Sequence, residues 1–160
     1  IKRRDKGAPL GGIEGGGWSL TYDDTRSPLL KTQEEVEEKV DARYSIGLLL
    51  DKTGTIVDVI PDSNAFASGV APGMKLIAVN GRRCSKYVLR DAIQATKETP
   101  AAVRLLLEND EFFREVPVEV RGGERYPKLM RAATGNDVIG GILAPKAESP
   151  YNIDPASKKR

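Results

Sequence analysis

The sequence predicts an α+β fold. Short apolar runs rich in β-branched residues are interleaved with three capped helical segments. Asn80-Gly81 follows the run Lys75–Val79, the strongest short hairpin signal a sequence carries. Ser85 then opens a stretch in which Val88, Leu89, Ala92, Ile93 and Thr96 fall on one helical face. With 160 residues, 39% hydrophobic and 30% charged, one compact domain with appendages is expected.

From the start of the chain, residues 1–17 are basic and then glycine-rich and read as a linker. The chain opens on Ile1, so a fragment of a longer protein is expected. Trp18–Tyr22 alternates strong β formers, a short strand broken by Asp23, Asp24, Ser27 and Pro28. Thr32 and Glu35 form a capping-box pattern that predicts an acidic helix to about Ala42, with Val36 and Val40 as its apolar seam. Glu34, Glu35, Glu37 and Glu38 are expected on its solvated face, in the first turns, where negative charge suits the helix dipole.

Tyr44-Ser-Ile-Gly-Leu-Leu-Leu50 is the stretch on which function turns. Gly47 can adopt backbone angles closed to other residues. The N–H groups of Ile46, Gly47 and Leu48 are then expected to converge as an anion-binding nest, followed by a strand, Leu48–Leu50, with an edge open to an extended peptide. Asp51-Lys-Thr-Gly-Thr-Ile56 matches the phosphorylation signature of P-type ion pumps. That chemistry needs a magnesium-binding aspartate pair and a nucleotide domain, and neither is present, so Asp51–Thr55 reads as a hairpin turn into the strand Ile56–Ile60.

Ser63 caps a short helix that Gly69 ends, and Ala71–Met74 is a turn. The Ser85 helix runs through Lys97, and Pro100 stops it. Val103–Leu107 and Phe112–Val120 are paired strands, the second interrupted at Pro117 and therefore at an edge or bulged. Gly122-Gly123 is a turn, Asn136–Leu143 a weak helix, and residues 146–160 a flexible tail.

Composition narrows the chemistry. Without histidine there is no Ser-His or Cys-His pair and no histidine-containing metal site. This segment is expected to be non-catalytic and to hold no cofactor. A net charge of +2 is too balanced to point to nucleic acid or a membrane surface as partner. Cys84 is the single cysteine, so no intrachain disulfide forms, and a small half-buried side chain is expected there.

The order of elements resembles a PDZ domain, with Ser45-Ile-Gly-Leu48 in the place of the family's Gly-Leu-Gly-Phe loop. Pro61–Val70 and Pro72-Gly-Met-Lys-Leu-Ile-Ala-Val-Asn-Gly81 carry its two most recognisable segments. The resemblance covers residues 43–121 and implies a partly open β-barrel or sandwich of five to six strands capped by two helices. Residues 18–42 would be an N-terminal strand-helix extension and 122–145 a C-terminal extension with a short helix. The segment before the loop reads as helix rather than the family's first strand, and Val116–Val120 is expected to fill that place.

The flanks extend the likeness. Gly15–Tyr22, Tyr44–Leu48, Pro72–Arg82, Gly122–Leu129 and the end Asp137–Lys146 are similar to the C-terminal region of bacterial glycyl aminopeptidases, zinc enzymes with a trailing PDZ domain. A histidine is expected in that pattern where Lys128 stands. The implied zinc belongs to an upstream catalytic domain of the parent. The implied partners are a peptide or protein C-terminus, or that catalytic domain, in a bacterial compartment left open between periplasm, exterior and cytoplasm. The implied peptide site comprises Tyr44, Ser45, Ile46, Gly47, Leu48, Leu49, Leu50, Leu89, Ile93 and Thr96, with Ile46, Leu48 and Ile93 lining the pocket for the last side chain. Those apolar residues are core in any such fold, and the groove can also be filled by the chain itself, with Gly17–Tyr22 or the acidic helix blocking it. The alternative reading is a stand-alone PDZ module, or one attached to a high-temperature-requirement serine protease.

Overall fold

The computed structural model describes residues 10–133 and 137–145, so the start of the expected linker, Asn136 and the tail from Lys146 lie outside the described residues. The elements in order are α1 (Gly11–Gly15), β1 (Trp18–Asp23), α2 (Pro28–Glu37), β2 (Val40–Ala42), β3 (Leu48–Leu50), β4 (Ile56–Val59) and α3 (Asn64–Ala67). There follow β5 (Lys75–Val79), β6 (Arg82–Arg83), α4 (Lys86–Gln94), β7 (Ala101–Asn109), β8 (Phe112–Val120), β9 (Tyr126–Arg131) and α5 (Val138–Leu143). The class is α+β and the arrangement PDZ-like, with open sheets: β2-β3-β4, β6-β5-β7-β8 and the pair β1-β9. Six strands, β3 to β8, and the helices α3 and α4 make up the region of the resemblance.

The chain divides into two compact units. Tyr22–Lys128 is the larger. Leu48, Leu50 and Ile56 meet Leu89 and Ile93 of α4 and the inward faces of β7 and β8 in one core cluster. Val103, Leu105, Val118 and Val120 are each at most 1% exposed. Full burial of such a side chain contributes about 1.5–3 kcal/mol, so alternate residues of β7 and β8 carry much of the unit. The smaller unit brings together the described residues before Tyr22 and after Lys128. There Asp137 caps α5, its Oδ1 accepting from the Gly140 N–H at 2.7 Å and from Trp18 Nε1 at 3.0 Å.

Turn chemistry places the strands as expected. Asn80 and Gly81 have φ of 49° and 76° and join β5 to β6. Asp51 Oδ1 accepts from the N–H groups of Thr53 and Thr55 at 2.8 and 2.9 Å, closing the β3–β4 hairpin. Ser63 and Ser85 cap α3 and α4 through their hydroxyl oxygens.

Pro117 lies in β8 without interrupting it. It faces Arg104, whose own N–H and C=O both engage Asn80 on the other side, at 2.8 and 2.7 Å. The pair is therefore a non-hydrogen-bonded one, and the missing N–H costs the ladder nothing. β8 is also an edge strand. Its outward carbonyls are covered by α3: Ser68 Oγ donates to Pro117 O at 3.0 Å and Asn64 Nδ2 to Glu119 O at 2.6 Å.

Several expectations are corrected. The acidic helix begins at Pro28 and ends at Glu37, because Ser27 caps it and Pro28 fits its first turn, leaving Thr32 in the interior. Glu38 turns left-handed with φ 51°, which stops the helix and lets β-branched Val40 begin a strand rather than a final helical turn. The expected seam does not form: Val36 is 78% exposed and Val40 belongs to β2. The glutamates occupy the last turns and the cap, and Glu34 is buried rather than solvated. The segment before the loop is thus a strand after all. Val116–Val120 pairs with Ala101–Leu105 of β7 and not beside the loop, since β7 offers β8 a nine-residue partner. Part of the glycine-rich stretch closes one short helix, α1, and α4 stops at Gln94, three residues before Lys97.

Candidate peptide-binding groove

Gly47 has a φ of 95°, which curls the main chain back at the end of the loop. The N–H groups of Ser45, Ile46 and Gly47 converge on one acceptor, the carbonyl oxygen of Ala42, at 3.2, 3.0 and 3.1 Å. The converging amides are therefore one residue earlier than the expected set, with Ser45 in place of Leu48. Leu48 instead stands opposite Ala42 in the β2–β3 ladder. The Gly47 carbonyl accepts from the Ile60 N–H at 2.9 Å, tying the loop to the end of β4.

The edge of β3 away from β4 is not open. β2 runs antiparallel along it, Val40 opposite Leu50, Asp41 opposite Leu49 and Ala42 opposite Leu48. That is the edge expected to be open to an extended peptide, and β2 fills it, its last carbonyl on the loop amides.

Ile46, Leu48, Leu50, Leu89 and Ile93 come together in the core, none more than 2% exposed. Ala42, 4% exposed, belongs to the same cluster. Thr96 is buried and gives its hydroxyl proton to the Ile93 carbonyl at 2.7 Å. Leu49 is half-buried on the other face. Tyr44 is exposed, its ring 5.9 Å from that of Tyr22, and Ser45 Oγ accepts from the Arg125 N–H at 2.9 Å, so neither faces the cluster.

What fastens β2 is a buried ionic network absent from the sequence reading. Glu34 Oε1 accepts from the Asp41 N–H at 2.8 Å and from Arg90 Nη2 at 2.5 Å, while its Oε2 takes Arg26 at 3.0 Å. Arg90 also reaches Glu124 at 2.7 Å and the Tyr126 hydroxyl. Burial opposes charge on Arg90, but Tyr126, Glu124 and Glu34 outweigh it and hold the guanidinium above its ordinary value. Burial likewise pushes the Tyr126 phenol up, more than Arg90 pulls it down. The one available signal was Arg90 itself, a charge set directly beside the Leu89–Ile93 seam of a helix. Its partners lie 34 to 56 residues away and share no pattern with it.

Past the start of β2, where α2 ends and α4 begins, lies a cleft of about 680 Å³. Leu50, Leu76 and Leu89 form its floor, and Glu38, Lys75 and Lys86 stand on its rim. Cys84 lines it too, half-buried, with its thiol pushed up by burial. Asp51, the aspartate of the pump-like motif, is committed to its turn and takes the Thr53 hydroxyl as well, at 2.7 Å. Among the described residues no group of three or more Cys, Asp or Glu side chains is placed to hold a metal. None of their helices is long and apolar enough to cross a membrane.

No family model matches the chain. Among solved structures it is similar to the crystal structure of the HtrA3 PDZ domain bound to a phage-derived ligand (FGRWV), at 17% identity and a TM-score of 0.35, over 79% of this chain and 96% of that one. A superposition at that level carries no argument. The PDZ-like reading stands on the chain's own elements: a glycine loop with converging amides, the strand after it, and a capped helix sharing a core with both.

Proposed function

We propose that this chain is the non-catalytic PDZ-like region of a zinc aminopeptidase similar to the glycyl aminopeptidases, and that it braces and positions rather than capturing free chain ends. The motifs at Gly15–Tyr22, Tyr44–Leu48, Pro72–Arg82 and Gly122–Leu129 support the parentage. The zinc and its ligands would belong to another part of the polypeptide. The observation that carries the closed-groove reading is the Ala42 carbonyl on the amides of Ser45, Ile46 and Gly47, where a ligand carboxylate would otherwise sit.

Titration of the chain with fluorescent peptides bearing a free C-terminal carboxylate tests it. The expected result is no saturable binding below about 1 mM, weaker than about −4 kcal/mol. Micromolar binding abolished by C-terminal amidation would overturn the reading and favour the second one, a module that binds peptide C-termini directly. A longer reading frame with His-Glu-x-x-His upstream supports the parentage, and an upstream serine protease domain refutes it.

A further inference from the structure

The way β2 is held suggests that it can leave. In α2 the only buried residue is Glu34, whereas Leu29 and Val36 are 77% and 78% exposed. The helix before β2 is thus fastened by an ionic side chain rather than by an apolar face. Glu34 joins three things: the Asp41 N–H in β2, Arg90 on α4, and Arg26 just before α2.

We propose that Val40–Ala42 is a displaceable internal ligand, and that loosening the Glu34–Arg90 lock opens the groove to the C-terminus of a partner ending in a small apolar residue. This rests on the closed-groove reading above. β2 spells out the ligand chemistry. A chain end in the same register would set a carboxylate on the three loop amides that now share one neutral carbonyl, and a charged acceptor makes the stronger bonds. The Ala42 methyl lies in the Ile46, Leu48 and Ile93 cluster, which limits the final side chain to alanine size. Val40, two residues earlier, also packs on that cluster and selects an apolar side chain. Asp41 pairs with Arg43 at 2.7 Å, but Arg43 directly follows β2 and moves with it, so the penultimate position is left unselected. The partner motif is therefore an apolar residue, any residue, and a small apolar residue at the chain end.

The test uses the full chain and a labelled decapeptide with the sequence of residues 33–42, as free acid and as amide. Glu34→Ala is expected to bind the acid at least about tenfold more tightly than the unaltered chain, because the site is no longer held closed. The amide should lose that gain, and hydrogen exchange should quicken across residues 40–50 in the variant. Faster exchange without a gain in affinity overturns the proposal, as does unchanged exchange. Should Glu34→Ala fail to fold, Val40→Ser weakens β2 while leaving the lock in place, and the same outcomes apply. Tight binding to the unaltered chain would instead sink the closed-groove reading itself.

Discussion

Replacing Gly47 by alanine tests the loop geometry most directly. Two independent penalties meet there. A φ of 95° is strained for any L side chain, a cost of roughly 1–2 kcal/mol. The new Cβ would also overlap the Cβ and Oγ of Ser63, the residue that caps α3. Forcing a methyl into occupied space costs typically about 1–3 kcal/mol, so Gly47→Ala should lose about 2–5 kcal/mol in urea unfolding followed by far-ultraviolet circular dichroism. A second substitution separates the two terms. Ser63→Gly removes both overlapping atoms, and glycine as a helix cap costs only a few tenths of a kcal/mol relative to serine. The double variant should recover the steric share, a coupling of about 1–3 kcal/mol, and leave the backbone strain. A Gly47→Ala loss under about 1 kcal/mol, or additive effects in the double variant, would refute the account of the loop.

Other consequences are as direct. Arg90→Met removes the cation shared by buried Glu34 and half-buried Glu124, leaving Glu34 only Arg26, and should cost about 3 kcal/mol by chemical denaturation. Burial raises the Asp51 carboxyl, but the Thr53 hydroxyl and the N–H groups of Thr55 and Thr53 outweigh it and hold it below its ordinary value. Its contribution to stability is therefore full above the unfolded value of about 3.9 and disappears as the pH falls through the lower folded value. Asp51→Asn should flatten that part of the acid-unfolding curve. Burial keeps the Cys84 thiol protonated, so its reaction with a disulfide reagent at pH 8 should be about tenfold slower in the folded chain than in guanidinium.

Local chemistry made much of the fold legible. Asn80-Gly81, Ser63, Ser85 and Asp51 act within a few residues of themselves, and each forms the turn or cap its type requires. The segment from Thr32 to Ala42 misled because its outcome is decided from afar. Glu34 looks like one solvated glutamate among four, and it is Arg90, 56 residues on, acting with Arg26 and the Asp41 N–H, that makes it the buried one. The place of Val40–Ala42 in the groove was hidden for the same reason: three residues carry no periodicity, and their strand exists because β3 had a free edge. The pairing of β9 with β1 escaped too, since the two strands stand more than a hundred residues apart, and so did the bond of Tyr126 to Arg90, 36 residues before it.

The α3 side chains over β8 matter beyond the strand they cover. Rows of unsatisfied backbone groups invite neighbouring molecules to continue the ladder. Asn64 and Ser68 take up the acceptors on that margin, and Glu115, Pro117 and Glu119 face outward along it. On β2 the Glu34 carboxylate plays the equivalent part for the Asp41 N–H. Copies of this chain are thereby discouraged from growing into fibrils through either margin, even at high concentration.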